Sequence, residues 1–117
     1  MEPLERAKQL ADDIRNSAEY RTYREYKDEI DANESIKALL KEFSKMQMQI
    51  QLTAASGQQP DAEDMQRFTQ LSSLLYADPR TSGYLLAQIR LQKTVADIVQ
   101  LITEAADMNL ELPGLSE

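Results

Sequence analysis

The chain has 117 residues with 20 Asp or Glu against 13 Lys or Arg, so its formal net charge is -7. It contains no Cys and no His, which excludes disulfides, thiolate nucleophiles and every common transition-metal ligand except carboxylates. We therefore expect no cofactor and no iron, zinc or copper. The length suits one domain over residues 1–117.

The first third of the chain predicts two helices. After Pro3, apolar residues recur at alternating steps of three and four, which is typical of an amphipathic helix, here ending at about Asn16. Ser17 is a good N-cap residue for a second helix that runs to about Asp31. This second helix carries three tyrosines at a spacing of three residues.

The middle of the chain predicts two longer helices joined by the only clear loop. Asn33 is the expected N-cap of the third helix, which runs to about Ala55. Gly57 follows and can adopt the left-handed conformation that ends many helices. The fourth helix is expected from about Asp61 to Ala77. Its predicted inner face consists of Met65, Phe68, Leu71, Leu74 and Leu75.

Asp78-Pro79 predicts the start of a fifth helix, because an N-cap acid precedes a proline at the first helical position. This helix is expected to run to about Met108, and residues 109–117 are expected to be loosely ordered. Its apolar positions alternate in steps of four and three, which is the spacing of a heptad seam. The seam consists of Tyr84, Gln88, Leu91, Val95, Ile98, Ile102 and Ala105.

The sequence thus predicts an all-α protein of about five helices in an antiparallel bundle. A fifth helix of about 30 residues would be about 45 Å long, whereas a compact domain of this size has a radius of gyration of about 13–14 Å. Helices this long, apolar along their length, extend beyond the core that one short chain can build. We therefore predict a homodimer or higher oligomer.

Catalytic chemistry is not expected. Without His or Cys the familiar nucleophilic triads cannot form, and the three glycines lie too far apart for a phosphate-binding loop. The acidic residues are interpreted as solvated helix faces and first-turn caps rather than a metal site. The N-terminus lacks a signal-peptide pattern and no segment has the ~20 apolar residues of a membrane span, so we expect a cytoplasmic protein without membrane insertion.

The charge is uneven along the chain. Residues 35–59 contain Lys37, Lys41 and Lys45 against a single acid, whereas the remainder of the chain is acidic. The three lysines fall on one face of the third helix and are interpreted as a solvated outer face. An acidic chain repels phosphate, so no DNA binding is expected, and weak RNA binding is only a third possibility.

Two features are candidates for a surface that binds a partner or a second copy. The tyrosine stripe of the second helix is either packed in a core or dimer interface, or exposed to a partner, because Tyr is enriched at binding hot spots. The Met- and Gln-rich run near the middle of the third helix offers adaptable side chains. Together with the seam, the candidate residues are Tyr20, Tyr23, Tyr26, Met46, Met48, Tyr84, Leu91, Val95, Ile98 and Ile102.

Several capping and packing residues occur in an order that resembles the YlbF/YmcA family of bacterial proteins, with its YheA-like relatives. The similarity covers about residues 4–106. Its residues are Ser17-x-x-Tyr20, Asn33, Leu40-x-x-Phe43 followed by Gln47 and Gln51, Gly57, Leu71 before Asp78-Pro79, and Tyr84-Leu85 with Gln88.

The resemblance implies an all-helical, self-associating regulatory protein. Members of this family are linked to competence, sporulation and biofilm formation, and act in a complex that modulates RNase Y and mRNA turnover. The implied partners are a second copy, related family proteins and the RNase Y machinery. Some members of that complex bind iron–sulfur clusters through Cys, which this chain lacks. Both the RNase Y-regulating branch and the YheA-like branch remain open.

The leading functional interpretation is a non-enzymatic regulatory adaptor that acts through protein–protein interaction. The alternative is a structural, self-assembling helical protein without a regulatory target.

Overall fold

The computed structural model describes residues 2–108, and this part of the chain forms five α-helices and no strand. The all-α prediction is therefore confirmed. The predicted loose tail, residues 109–117, lies outside the described residues. The helices are α1 (Pro3–Arg15), α2 (Ala18–Asp31), α3 (Glu34–Ala55), α4 (Ala62–Ala77) and α5 (Pro79–Ala105).

Helices α2, α3 and α4 begin where the sequence places a capping side chain. The amide of Tyr20 donates to Ser17 Oγ at 3.2 Å, and the amide of Ile36 donates to Asn33 Oδ1 at 3.1 Å. Asp61 caps α4 in the same way. Each cap gives a hydrogen-bond partner to a backbone amide that the first turn of a helix leaves unpaired. The predicted starts of α2, α3 and α4 are therefore correct to within one residue.

The junction between α4 and α5 is held by Asp78 and Thr81. The carboxylate of Asp78 accepts from the amide of Arg80 at 2.9 Å and from its guanidinium, also at 2.9 Å. The Thr81 side chain is buried, and its hydroxyl donates to the carbonyls of Leu75 and Asp78. These bonds satisfy a buried hydroxyl and fix the turn between the two helices.

The ends of α3 and α5 differ in how well the sequence predicts them. Gly57 has φ 85° and closes α3 as expected. The fifth helix ends at Ala105, three residues before the predicted end, because Asp107 takes a left-handed conformation with φ 53°. The amide of Met108 then donates back to the carbonyl of Thr103 at 3.0 Å. Asp is one of the few residues other than Gly that tolerate this conformation.

The chain divides into two compact units. We call residues 26–84 the central unit, and residues 2–25 with 85–108 the terminal unit. The single domain expected over residues 1–117 remains a prediction.

The central unit has a hydrophobic core. Its α3 packs against α4, with the rings of Phe43 and Phe68 stacked at 5.1 Å between centroids and 12° between planes. Two residues predicted on the inner face of α4, Met65 and Leu74, are instead exposed. The buried apolar side chains of this unit are Ile30, Ile36, Leu40, Phe43, Met46 and Leu75.

The terminal unit covers its apolar residues less completely. No residue of α1 is buried, Leu10 and Ile14 are half-buried, and Leu4 is 69% exposed. Leu85 and Ala87 are buried in the N-terminal half of α5, whereas no residue from 88 to 105 is.

Candidate functional site

Two of the three candidate tyrosines form a pair in the terminal unit. The rings of Tyr20 and Tyr23 lie 6.5 Å apart between centroids and are tilted by 44°. Both side chains are half-buried. This geometry is within the range of favourable aromatic pairs, so part of each ring is already used inside the molecule.

Tyr26 belongs to the central unit and lies against the first turns of α5. A Cβ added to Gly83 would overlap the ring of Tyr26. The glycine therefore lets the ring approach the α5 backbone closely, which explains why a poor helix former stands inside the helix. Spacing along α2 places the three tyrosines on one stripe, but only this long-range contact shows what the third one touches.

The two candidate methionines lie on nearly opposite faces of α3. Met46 is buried in the core of the central unit, whereas Met48 is 63% exposed. The difference follows from helical geometry, because two residues along an α-helix rotate the side chain by about 200°. Of the Met-rich run, Met48 is thus the residue available for contact. Tyr84, the last residue of the central unit, is half-buried.

From Gln88 onward the seam of α5 lies in the terminal unit, and it becomes more exposed toward the C-terminal end of the helix. Leu91, Val95 and Ile98 are half-buried. Ile102 is 58% exposed, and its neighbour Leu101 is 67% exposed. The seam is therefore an apolar surface that the chain covers at one end and leaves open at the other.

A groove of about 410 Å³ runs beside this seam within the terminal unit. Thr94 Oγ1 donates to the carboxylate of Glu19 at 2.7 Å, which ties the start of α2 to α5 at the groove. Sequence reasoning missed this bond, since 75 residues separate its partners and no local pattern relates them. The apolar lining consists of Leu10, Ile14, Ala18, Leu91 and Ile98.

The charged side chains of residues 2–108 include helix caps and surface ion pairs. Among residues 2–108 no three acidic side chains come together in a way that could hold a metal ion. The Arg80 guanidinium hydrogen-bonds to Asp78 and holds the pKa of that carboxyl below its ordinary value, but this pair caps a helix. In the same part of the chain, none of the helices combines the length and apolar character needed to cross a bilayer.

Helices with partly covered apolar faces are typical of proteins that work by contact with other proteins. Comparison with known families identifies the chain more closely. Residues 4–106 match the family described as control of competence regulator ComK, YlbF/YmcA. The chain belongs to this regulatory family, so the resemblance noted from its capping and packing residues is confirmed.

Relatives from several bacteria share most of their length with this chain. It is 30% identical over 111 residues to a UPF0342 protein of Caldicellulosiruptor saccharolyticus, an alignment that covers 95% of this chain and 92% of that protein. It is 35% identical over 96 residues to a UPF0342 protein of Halothermothrix orenii, and this alignment covers 82% of this chain and 81% of that protein. A UPF0342 protein of Streptococcus pyogenes is 34% identical over 96 residues, which are 82% of this chain and 85% of that protein.

Proposed function

We propose that this protein is a non-enzymatic regulatory adaptor that works in the cytoplasm, self-associates and acts by binding other proteins. The observation that carries the proposal is the partly covered seam of α5. Ile102 and Leu101 together present an exposed apolar surface that continues directly from the half-buried Leu91, Val95 and Ile98. When a second helix covers exposed apolar residues at this spacing, the free energy of the protein falls.

Self-association through this seam is the first part of the proposal. The seam has heptad spacing, and α5 is about 40 Å long at 1.5 Å per residue for its 27 residues. The same surface on two copies can pair about a two-fold axis, which is the commonest symmetry of soluble oligomers. An adaptor built in this way presents its remaining surfaces twice.

The regulated process is inferred from the family. Its description as a control of competence regulator supports a role in developmental gene control. Within that family we propose that the target is RNase Y-dependent mRNA processing, with effects on competence, sporulation or biofilm formation. Related family proteins and the RNase Y machinery are then the partners, and membership of the YheA-like branch remains open.

A pull-down from the native host tests the adaptor. We expect the tagged chain to recover RNase Y machinery or related family proteins, and deletion of its gene to change the half-lives of RNase Y-dependent transcripts. Ile102→Asp should lose the self-association, whereas Gln92→Asp, an exposed site on the same helix, should keep it. Recovery of the chain alone, with unchanged transcript half-lives, would favour the alternative of a structural self-assembling protein.

RNA binding is a third and weaker candidate. The net charge of -7 opposes it, because phosphate contacts supply most of the affinity of nucleic-acid binders. Salt-dependent binding of an RNA oligonucleotide at low micromolar protein would support this candidate.

A further inference from the structure

The side of α3 that faces away from the core carries a continuous row of exposed residues. Spacings of four, four, three and four residues place them on one face of the helix, over about 22 Å at 1.5 Å per residue. All five are exposed. We call this row the basic strip; it consists of Lys37, Lys41, Lys45, Met48 and Leu52.

The three lysines of the strip form no ion pair with any residue that the structure describes. Among residues 2–108, no carboxylate lies within 4.0 Å of their ammonium groups, although ion pairs form elsewhere on the surface, as between Lys93 and Asp97. Like charges spaced four residues apart on a helix repel one another and destabilise it. Within residues 2–108, no ion pair to the three lysines offsets this repulsion in the free protein.

The two apolar residues of the strip are also left in water. Met48 is 63% exposed and Leu52 is 64% exposed, and both continue the line of the lysines. Single exposed apolar side chains are ordinary, but two large ones in register with three unpaired cations form a patterned surface. A partner that is acidic at one end and apolar at the other would relieve both unfavourable features together.

We propose that the basic strip is the docking site for an acidic amphipathic helix of a partner protein. Carboxylates four residues apart on that helix have the same 6 Å repeat as the lysines, since both follow the helical rise. Apolar side chains further along it would cover Met48 and Leu52. The proposal rests on the adaptor function and names the surface through which the adaptor holds its target.

The charge of the whole chain directs such a partner to this strip. Residues 35–59 carry three lysines and one glutamate, a net charge of +2, whereas the rest of the chain carries -9 and the whole chain -7. An acidic helix is repelled by most of the surface and attracted here, so the strip provides specificity as well as attraction. A nucleic acid fits less well, because the strip offers three cations and no aromatic side chain on which a base can stack.

The probe is a fluorescein-labelled helical peptide of about 20 residues, long enough to span the strip. It carries glutamates four residues apart and leucines on the same face, and is made in both sequence directions so that either helix orientation can bind. We expect fluorescence anisotropy to show binding that weakens between about 0.05 M and about 0.5 M NaCl, because exposed charge pairs are screened by salt. A peptide with lysines in place of the glutamates should not bind.

Variants of the full chain assign the binding to the strip. The triple variant K37E/K41E/K45E should weaken binding by about tenfold or more, because three attractions become repulsions. The triple variant with arginine at the same positions should keep it, and M48S/L52S should weaken it through lost apolar contact. The matched control is K8E/R67E/R90E, which makes the same change in net charge at exposed sites on three other helices and should bind as the unaltered chain does.

A stability measurement separates a binding role from a structural one. Lys41→Glu replaces two repulsive pairs on α3 with two attractive ones, so the free protein should melt about 2–4 °C higher while peptide binding weakens. Unchanged peptide binding in K37E/K41E/K45E, or no binding to either peptide, would overturn the proposal. Two other results for K37E/K41E/K45E would also overturn it. Loss of RNA oligonucleotide binding would make the occupant a nucleic acid, and a smaller oligomer would make it a second copy. The adaptor function itself is judged separately, by the pull-down and by Ile102→Asp.

Discussion

The central and terminal units are built from similar amphipathic helices, yet they differ in how far they cover their apolar residues. In the central unit Phe43 and Leu75 are almost fully removed from water, at 5% and 2% exposed. In the terminal unit α1 has no buried residue, and Leu101 and Ile102 remain more than half exposed. An apolar stripe in the sequence therefore indicates a helix face that tends to pack against another surface. It does not indicate whether that surface belongs to the same chain.

The largest effect is expected in the core of the central unit. Leu75→Ala removes a side chain that is 2% exposed and leaves a cavity, so the free energy of unfolding should fall by about 2–5 kcal/mol. The matched control is Leu74→Ala, one position earlier on α4, where the side chain is 58% exposed and the change should be about 0.5 kcal/mol or less. Urea denaturation of both variants measures the difference.

Equal losses from Leu75→Ala and Leu74→Ala would contradict the assignment of the core face of α4. The sequence pattern alone predicted both leucines on the inner face. The structure separates them, because adjacent residues on a helix differ in direction by about 100°.

The second prediction concerns the terminal unit. Ile98 lines the groove beside Leu91 and Ile14, so Ile98→Asp places a carboxylate on a half-buried apolar surface. A loss of about 2–3 kcal/mol is expected, together with a smaller oligomer, since charge is unfavourable on a surface that is to be covered. Lys41→Asp, on the exposed face of α3, should change the melting temperature little, because the lower helix propensity of Asp offsets the charge repulsion that it relieves. If the two variants behave alike in thermal melts and sedimentation, the seam is not an interface.

The sequence predicted the starts of the helices well, because N-capping is local chemistry. Ser17, Asn33 and Asp61 each bond an amide two or three residues away, so their effect is visible in a short stretch of sequence. The end of α5 was predicted three residues late, since Asp107 carries no sequence signal as strong as a glycine would have.

Contacts between distant segments were not predictable in the same way. The packing of Tyr26 on Gly83 joins α2 to α5, and the bond from Thr94 to Glu19 joins residues 75 positions apart. Periodicity gives the face on which a residue lies, but the identity of its neighbour depends on how the helices pair.

The third prediction uses the close contact within the central unit. In an open helix Gly→Ala stabilises by about 1 kcal/mol, yet Gly83→Ala should destabilise by about 1–2 kcal/mol because the new Cβ overlaps the Tyr26 ring. In the Tyr26→Ala background the same change should become stabilising. Thermal melts of the four proteins in this cycle test the sign, and a stabilising Gly83→Ala in the unaltered chain would mean that the ring lies elsewhere.

The smallest expected effect is a pH dependence at the α4–α5 junction. The hydrogen bond from the Arg80 side chain, followed by the one from its amide, lowers the pKa of Asp78 from its ordinary value of 3.8. Because the folded-state pKa lies below the unfolded one, the stabilisation is complete above about pH 4 and is lost as pH falls through the folded pKa. Asp78→Asn should lose less stability between about pH 5 and about pH 2 than the unaltered chain does, as followed by urea midpoints. Identical pH profiles would show that the pair contributes nothing.

Sedimentation equilibrium of the full chain at micromolar concentration tests most directly whether a second copy covers the seam of the terminal unit. The chain has a mass of 13.3 kDa, and the account predicts a species of at least twice that mass. Ile102→Asp should shift the equilibrium toward the monomer without unfolding it, since the side chain is 58% exposed in the single chain. A well-behaved monomer of the unaltered protein at this concentration would contradict the account.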